Sequence, residues 1–341
     1  MRTARTLCKI AVLAAAFLAA ASFACVKSNP PASAQATLSP APVASVATAS
    51  PVPTPSPAPT PDPAMAPYTV AWISDTQGYC AAIPETFDKM VEWIVDHREE
   101  RNIQYVVHTG DVVNEPLNDL QWQRASHALL PLKGVLPLFA VAGNHDIGGV
   151  VRNYKHFNAL MEELGVSSLP TFGGMEADYR RRYDLVTIGR EDFIFIGCGY
   201  ASGRADVDWI NGLLEAHRDR TAILILHWYL DHDGELKHEG LNLYKNVVVP
   251  NDNVKLVLCG HRHDVLHVEQ PIDRDKDGIA ERTVTACMGD YQGYEGGGGG
   301  YICLITFDPV AREIRFASYS PLLDDWNYFD DESVETFTVP Y

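Results

Sequence analysis

From residue 68 onward the chain is written in short apolar blocks, each closed by polar residues. Tyr68-Thr-Val-Ala-Trp-Ile73 is one block, and Ser74-Asp-Thr-Gln77 closes it. Blocks of similar length stand at 103–107, 136–141, 193–196, 222–226 and 254–259. Such unbroken runs predict strands covered on both faces, because a half-exposed strand would alternate apolar with polar residues. Between the blocks the period changes. Residues 84–101 place Phe87, Met90, Val91, Ile94 and Val95 on one helical stripe, with Pro84 in the first turn, where a missing N–H is tolerated. Residues 120–130, 151–164 and 206–218 predict further helices. Beyond 264 the pattern is strand and turn, clearest at 301–307 and 313–319. Residues 68–341 are therefore expected to form one α/β domain with a β-rich second half.

The first 67 residues follow a different rule. Arg2, Arg5 and Lys9 precede an apolar run from Ile10 to Ala21, and Ser22-Phe-Ala-Cys25 follows it. This is the pattern of an export signal, shorter than the roughly 20 apolar residues of a membrane span. Residues 1–24 are read as a signal peptide. Cys25 is similar to the lipid-acceptor cysteine of bacterial lipoproteins, so the expected location is the bacterial cell envelope through a lipid anchor, with free secretion as the second choice. Residues 25–67 hold twelve of the chain's 22 prolines among Ala, Ser, Thr and Val. That composition cannot bury enough apolar surface to fold and is read as a disordered tether.

Charge and cysteine usage narrow the partners. The formal net charge is −17. An acidic body has no electrostatic footprint for duplex nucleic acid, whose binding rests on phosphate neutralisation, so no such partner is expected. A membrane is expected to be met only through the N-terminal anchor. Beyond Cys25, an odd set of cysteines remains, Cys80, Cys198, Cys259, Cys287 and Cys303, four of them within apolar runs. They read as small buried hydrophobes and not as a disulfide framework.

The polar closures carry the chemistry. The block from Tyr68 ends in Asp75 and Gln77, the next in His108-Thr-Gly-Asp111, and the block from Leu136 in Gly143-Asn-His-Asp146. Thr221–Leu226 ends in His227, and Val254–Cys259 in Gly260-His-Arg-His263. Carboxyl ends of neighbouring strands converge on one crevice in α/β sheets, which gathers these side chains at one edge. A mixture of oxygen and imidazole donors suits Mn, Fe or Zn.

At these residues the chain resembles the calcineurin-like metallophosphoesterase family, whose motifs run D-x-H, G-D, G-N-H-[DE], a lone His and G-H-x-H in that order. Here they read Asp75-Thr-Gln77, Gly110-Asp111, Gly143-Asn144-His145-Asp146, His227 and Gly260-His261-Arg262-His263. The resemblance implies a sandwich of two mixed β-sheets flanked by helices. It implies that Asp75, Asp111 and His263 hold one metal ion, and that Asn144, His227 and His261 hold a second, with Asp111 bridging. It further implies a hydroxide activated by both ions, His145 as general acid for the leaving oxygen, and Asp146 orienting the His145 imidazole. The substrate class is then a small or surface-exposed phosphate ester, monoester or diester alike. A non-catalytic surface-binding protein that keeps the fold is the alternative, but such a chain would be expected to have lost His145 or Asp111.

Gln77 departs from the family pattern, since it stands where a histidine is usual. Its amide oxygen is expected either to ligate the first metal or to hold a ligated water, and the match of Ser74-Asp-Thr-Gln77 and a later Asp290-Tyr-Gln292 to one branch of the family marks the amide as that branch's normal form. Asp273, Asp275 and Asp277 open a calcium-loop pattern, but the twelfth place is Val284, so a charged hairpin turn is expected there, with Ca as the alternative. Gly296–Gly300 is expected to be a flexible loop at the rim, Arg180-Arg-Arg182 a solvated face, and His108, His217, His232, His238 and His267 to have no ligand role.

Overall fold

A computed structural model of the protein describes residues 62–341 except 151 and 177. The leader and most of the tether expected at the N-terminus lie outside the described residues. Residues 63–65, assigned to the tether from composition, form a 3-10 turn. Asp62 beside it accepts from the Ala64 N–H and pairs with Arg190 at 3.1 Å.

Strand β1 (Tyr68–Ile73) leads into a short helix, Gln77–Ala82, and a longer one, Pro84–Asp96. Then come β2 (Ile103–His108), the helix Asp119–Leu129, β3 (Leu138–Ala140), the one-turn helix Asn144–Ile147 and the helix Lys155–Leu164. The second half holds β4 (Phe172–Met175), β5 (Arg181–Ile188), β6 (Glu191–Cys198), the helix Arg204–Ala216, β7 (Thr221–Leu226), the helix His238–Leu243 and β8 (Val254–Cys259). It closes with β9 (Val265–Ile272), β10 (Arg282–Gly289), β11 (Ile302–Asp308), β12 (Glu313–Ser320), β13 (Asp325–Trp326) and β14 (Phe337–Pro340).

The strands form two mixed sheets. One runs β13-β12-β11-β1-β2-β3, with β14 also on β12, and the other β4-β5-β6-β7-β8-β10-β9. β1, β2 and β3 are mutually parallel, as are β6, β7, β8 and β10, so their carboxyl ends share one edge of each sheet. Side chains alternate across each strand. In β1, Val70 and Trp72 join the core between the sheets, where Val107, Phe195, Ile225 and Leu258 also lie, while Ala71 and Ile73 face the helices. In β7, Ile223 and Ile225 point inward, and Ala222, Leu224 and Leu226 face the helix Arg204–Ala216. Both faces of these strands are therefore buried, which is why they read as continuous apolar runs.

Three expectations are corrected. The first helix stops at Asp96 and not at 101, because no apolar residue after Val95 can reach the sheet and the Arg98 guanidinium turns back to the Val95 carbonyl at 2.8 Å. The third begins at Lys155 and not at 151, since the Arg152 N–H bonds Gly148 O and the Asn153 N–H bonds Ile147 O, and the second of these contacts is not helical. Arg180–Arg182 is no solvated face. Arg182 is fully buried, its guanidinium paired with Asp184 at 2.8 Å, donating to Leu138 O at 2.9 Å and lying over the Phe139 ring. Arg180 and Arg181 both bind Asp206. Cys80, Cys198, Cys259, Cys287 and Cys303 are buried free thiols, as their apolar settings imply.

Candidate metal centre

Four of the residues that close strands sit in left-handed backbone: Asp75 (φ 51°), Asp111 (54°), His261 (76°) and His263 (54°). Each such residue costs about 1 kcal/mol or more, so their clustering marks a place where the fold holds side chains against local preference. Glycines permit the crowding. A Cβ on Gly110 would lie 2.8 Å from both Gly143 N and His227 Nδ1. One on Gly143 would collide with the Asp111 carboxylate, and one on Gly260 with the Asp75 carboxylate. Each motif thus keeps its glycine where a partner motif's functional group must pass.

Asp111, at the end of β2, is the hub. Its Oδ1 accepts the His145 backbone N–H at 2.8 Å. Its Oδ2 lies 3.3 Å from Gln77 Nε2, which donates to it, and 3.3 Å from His227 Nε2. His227, at the end of β7, is held by its other nitrogen, 2.9 Å from Thr109 O. A carbonyl only accepts, so the ring proton is on Nδ1. Nε2 is then turned toward Asn144 Oδ1 at 3.0 Å, His261 Nδ1 at 3.1 Å and Asp111 Oδ2. Four lone-pair atoms facing one another call for a proton or a metal ion among them. Asp111, His227 and His261 offer ligand atoms all within 4.8 Å of one another. Burial opposes charge on both Asp111 and His227, yet their mutual attraction outweighs it. Asp111 is held below the ordinary carboxylate value, and His227 is pushed up to about 10. Burial and the neighbouring His227 push His261 down to about 3.

Asp75, Gln77 and His263 lie outside that tight group and are tied to it and to one another through neighbours: Asp75 through the His261 backbone, Gln77 through Asp111, and His263 through Asp290. The Asp75 carboxylate accepts the His261 N–H at 3.2 Å and the Ser74 hydroxyl. Burial and the nearby Asp290 carboxylate push Asp75 well above its usual value. The Gln77 Oε1 is buried without a hydrogen-bond partner. An orphaned buried oxygen is costly unless something positive meets it, so the donor set here fits a metal ion. His263 donates its backbone N–H to Asp290 Oδ2 at 2.7 Å, and its Nε2 lies 2.6 Å from Gln292 Nε2.

The imidazole of His145 is half-buried, with Nδ1 2.9 Å from Asn114 O, which fixes the proton on Nδ1 and leaves Nε2 free to act. Asp146 does not orient this ring. Its fully buried carboxylate accepts from Val113 N at 3.0 Å and Gly143 N at 2.8 Å, closing the one-turn helix from beneath, and burial beside Asp111 pushes it up to about 7. The expected orienting role passes to the Asn114 carbonyl, because a helix turn points residues 145 and 146 in different directions.

Residues 68–265 match the family model for calcineurin-like phosphoesterases, and that stretch contains every residue of both candidate metal sites named from sequence. The chain belongs to the calcineurin-like phosphoesterase family. Phosphoester hydrolysis at a dinuclear metal centre is the chemistry typical of that family. A protein of Bacillus subtilis (strain 168), called uncharacterized protein YvnB, is 37% identical over 267 residues. The match covers 78% of this chain and 21% of that protein, so this chain spans about a fifth of the relative's length. A dimetal phosphatase from Danio rerio shares the fold at a TM-score of 0.55 and 13% identity, over 80% of this chain and 99% of that one. The purple acid phosphatase PPD1 from yellow lupin does so at 0.52 and 13%, over 82% and 55%.

In this member of the family several residues reach the centre that sequence reasoning gave no role. Asp290 and Gln292 follow β10, and the match of Asp290-Tyr-Gln292 to one branch of the family, together with a Gly-Asp step after an apolar run like Gly110-Asp111 after β2, was the available signal. Tyr200 and Trp228 flank His261 with ring centroids 5.5 and 4.8 Å away, and the loop carrying Tyr200 is held by Ala201 and Ser202 N–H donating to Glu239. The glycine run is no slack loop. Gly296–Gly300 are all left-handed, φ 62–84°, and Tyr79, two residues after Gln77, donates to Gly297 O and accepts from Gly300 N. Only glycine can repeat that conformation without penalty. In the acidic hairpin, Asp273, Asp275 and Glu281 gather their oxygens, whereas Asp277 accepts from Ile279 N, and Val284 is buried in β10.

Proposed function

We propose that this phosphoesterase hydrolyses phosphate mono- or diesters with two metal ions, Mn, Fe or Zn, and acts as an exported protein. The observation that carries the reading is the convergence of Asp111 Oδ2, Asn144 Oδ1, His227 Nε2 and His261 Nδ1, beside a Gln77 amide whose nitrogen meets the same Asp111 oxygen and whose own oxygen is orphaned. Asp111, Asn144, His227 and His261 would hold one ion, and Asp75, Gln77, Asp111 and His263 the other, with Asp111 shared by both. Bound there, the ions would supply Lewis acidity that activates water and offsets charge at phosphorus.

The chain's own groups do the rest. His227 is held through its Nδ1–H by Thr109 O, so its Nε2 faces inward and is the atom that would exchange its proton for an ion. His145 is fixed the same way by Asn114 O, and its Nε2 can give a proton to a leaving oxygen. Export is supported by Arg2, Arg5, Lys9 and the apolar run to Ala21, and lipid anchoring by Cys25 after Ala24. The net charge of −17 supports a small or surface-presented ester over duplex nucleic acid.

The test strips the purified protein with a chelator, restores Mn, Zn or Fe, and assays aryl phosphate monoesters and diesters. Hydrolysis that disappears on stripping and returns with metal is the expected result. A folded, metal-loaded protein inert toward both ester classes would overturn the reading.

A further inference from the structure

We infer that Gln292 is a ligand of the metal ion held at the Asp75 and His263 corner, its amide oxygen joining that of Gln77. The inference rests on the two-metal reading and adds a residue to it. Gln292 Nε2 stands 2.6 Å from His263 Nε2. An ion bound to that nitrogen would sit about 2.0–2.1 Å from it, so amide and ion contend for one position. Either the amide turns its oxygen to the ion or it must leave.

The surroundings hold it in place. Asp290 is fully buried, and its carboxylate accepts His263 N–H on Oδ2 at 2.7 Å and Gln292 N–H on Oδ1 at 3.1 Å, so one group fixes both backbones. A Cβ on Gly293 would lie 2.8 Å from His263 Cβ and 3.0 Å from His263 O, which shows how directly the 291–293 turn rests on His263. Tyr291 anchors the turn from the other side, its buried hydroxyl 2.6 Å from Ser318 Oγ and 2.7 Å from Glu335 Oε1. The backbone is thus pinned on both flanks. Rotation about the last side-chain bond, a soft sp³–sp² torsion, exchanges amide nitrogen for oxygen without moving anything else. Two amide oxygens and two carboxylates at one corner make a harder donor set than the His227 corner, so the two sites should differ in metal preference.

The test uses full-length protein stripped by chelator and titrated with Mn²⁺ and with Zn²⁺ by calorimetry, alongside Gln292→Ala and Gln292→Glu. Circular dichroism checks folding, which a partly exposed turn side chain should not disturb. Wild type is expected to take two ions. Gln292→Ala should weaken one of them by at least about 10-fold and leave the other unchanged, and Gln292→Glu should restore the lost affinity or exceed it. A Gln292→Ala protein that binds both ions as tightly as wild type, or more tightly, would show the amide to be an obstruction and overturn the inference alone. So would a Glu variant as weak as Ala. A wild type that takes a single ion would overturn the two-metal reading and this inference together.

Discussion

Asp111 Oδ2 lies 3.3 Å from His227 Nε2, a buried pair that joins the end of β2 in one sheet to the end of β7 in the other. The contact that brings the candidate metal ligands together is thus also a tie across the sandwich. Burial opposes charge on each partner, and each is charged because of the other. A divalent ion held by these residues would supply the positive charge that the His227 proton supplies here, so the pairing suits a metal site.

Asp111→Asn tests that hub. The amide is the same size and can still accept the His145 N–H through its oxygen, so the fold should survive. It cannot supply a negative oxygen to both corners, and hydrolysis should fall to less than a few per cent of wild type. The check is turnover of an aryl phosphate by protein shown to be folded by circular dichroism and loaded with metal. Substantial activity in such a protein would remove Asp111 from the bridging position.

His145→Ala should separate substrates by leaving group. The ring is fixed by Asn114 O with Nε2 free, the geometry of a general acid. Such help contributes roughly 10²- to 10⁴-fold when the departing oxygen is basic and little when it is an activated phenolate. A series of esters with graded leaving-group pKa values should therefore show steeper dependence in the variant than in wild type. Parallel lines would assign His145 to binding.

How much of this was legible in the chain depends on what each pattern encodes. β1, β2, β7 and β8 are buried on both faces, so their apolar runs stood out, and their polar closures singled out Asp75, Asp111, His227, His261 and His263 as candidates before any geometry. β5 was missed because Arg181-Arg-Tyr-Asp-Leu-Val-Thr-Ile188 mixes charge with apolar residues. Its buried Arg182 is neutralised by Asp184, a pairing set by tertiary packing and not by local pattern. The placement of Asp146 beneath the turn, away from the His145 ring, depends on the helical rotation between adjacent residues. Motif order does not record that rotation. Gln292 reaches His263 only because β10 lies beside β8 with β9 on its far edge, a strand order that sequence does not display.

Gln77 opens the chain's departure from the usual family motif, and its orphaned Oε1 gives that departure a physical reading. Gln77→Ala should lower affinity for one of the two ions by about 10- to 100-fold. Gln77→His should restore it and shift preference toward Zn, since imidazole is the softer donor. Competition against a chelator of known affinity, with Mn and with Zn, measures both effects. Superimposable curves for the three proteins would place Gln77 outside the metal shells.

His108 carries the final prediction, which concerns stability in acid. It is fully buried at the end of β2. Gly110 N–H donates to its Nδ1 at 3.1 Å, so Nε2 carries the proton and donates to Thr76 Oγ1 at 3.1 Å, and the Thr76 hydroxyl in turn donates to Val112 O at 3.2 Å. A second proton on Nδ1 would face the Gly110 N–H, donor against donor. Burial, against the pull of Asp111, pushes His108 down to about 3. In the unfolded chain the same imidazole takes a proton near 6.5. Between those values the unfolded state binds more protons than the folded one, so stability is complete above pH 6.5 and falls as the pH drops toward 3. The slope from this one group approaches about 1.4 kcal/mol per pH unit below 6. His108→Asn keeps an acceptor for Gly110 N–H and cannot titrate. It should be less stable than wild type at pH 7, because ring volume is lost, yet lose less on acidification. Urea unfolding of chelator-treated protein at pH 7, 6 and 5 compares the two slopes against the same Asp111 and His227 background. Equal slopes would mean that His108 gains its proton in the folded state as readily as in the unfolded one.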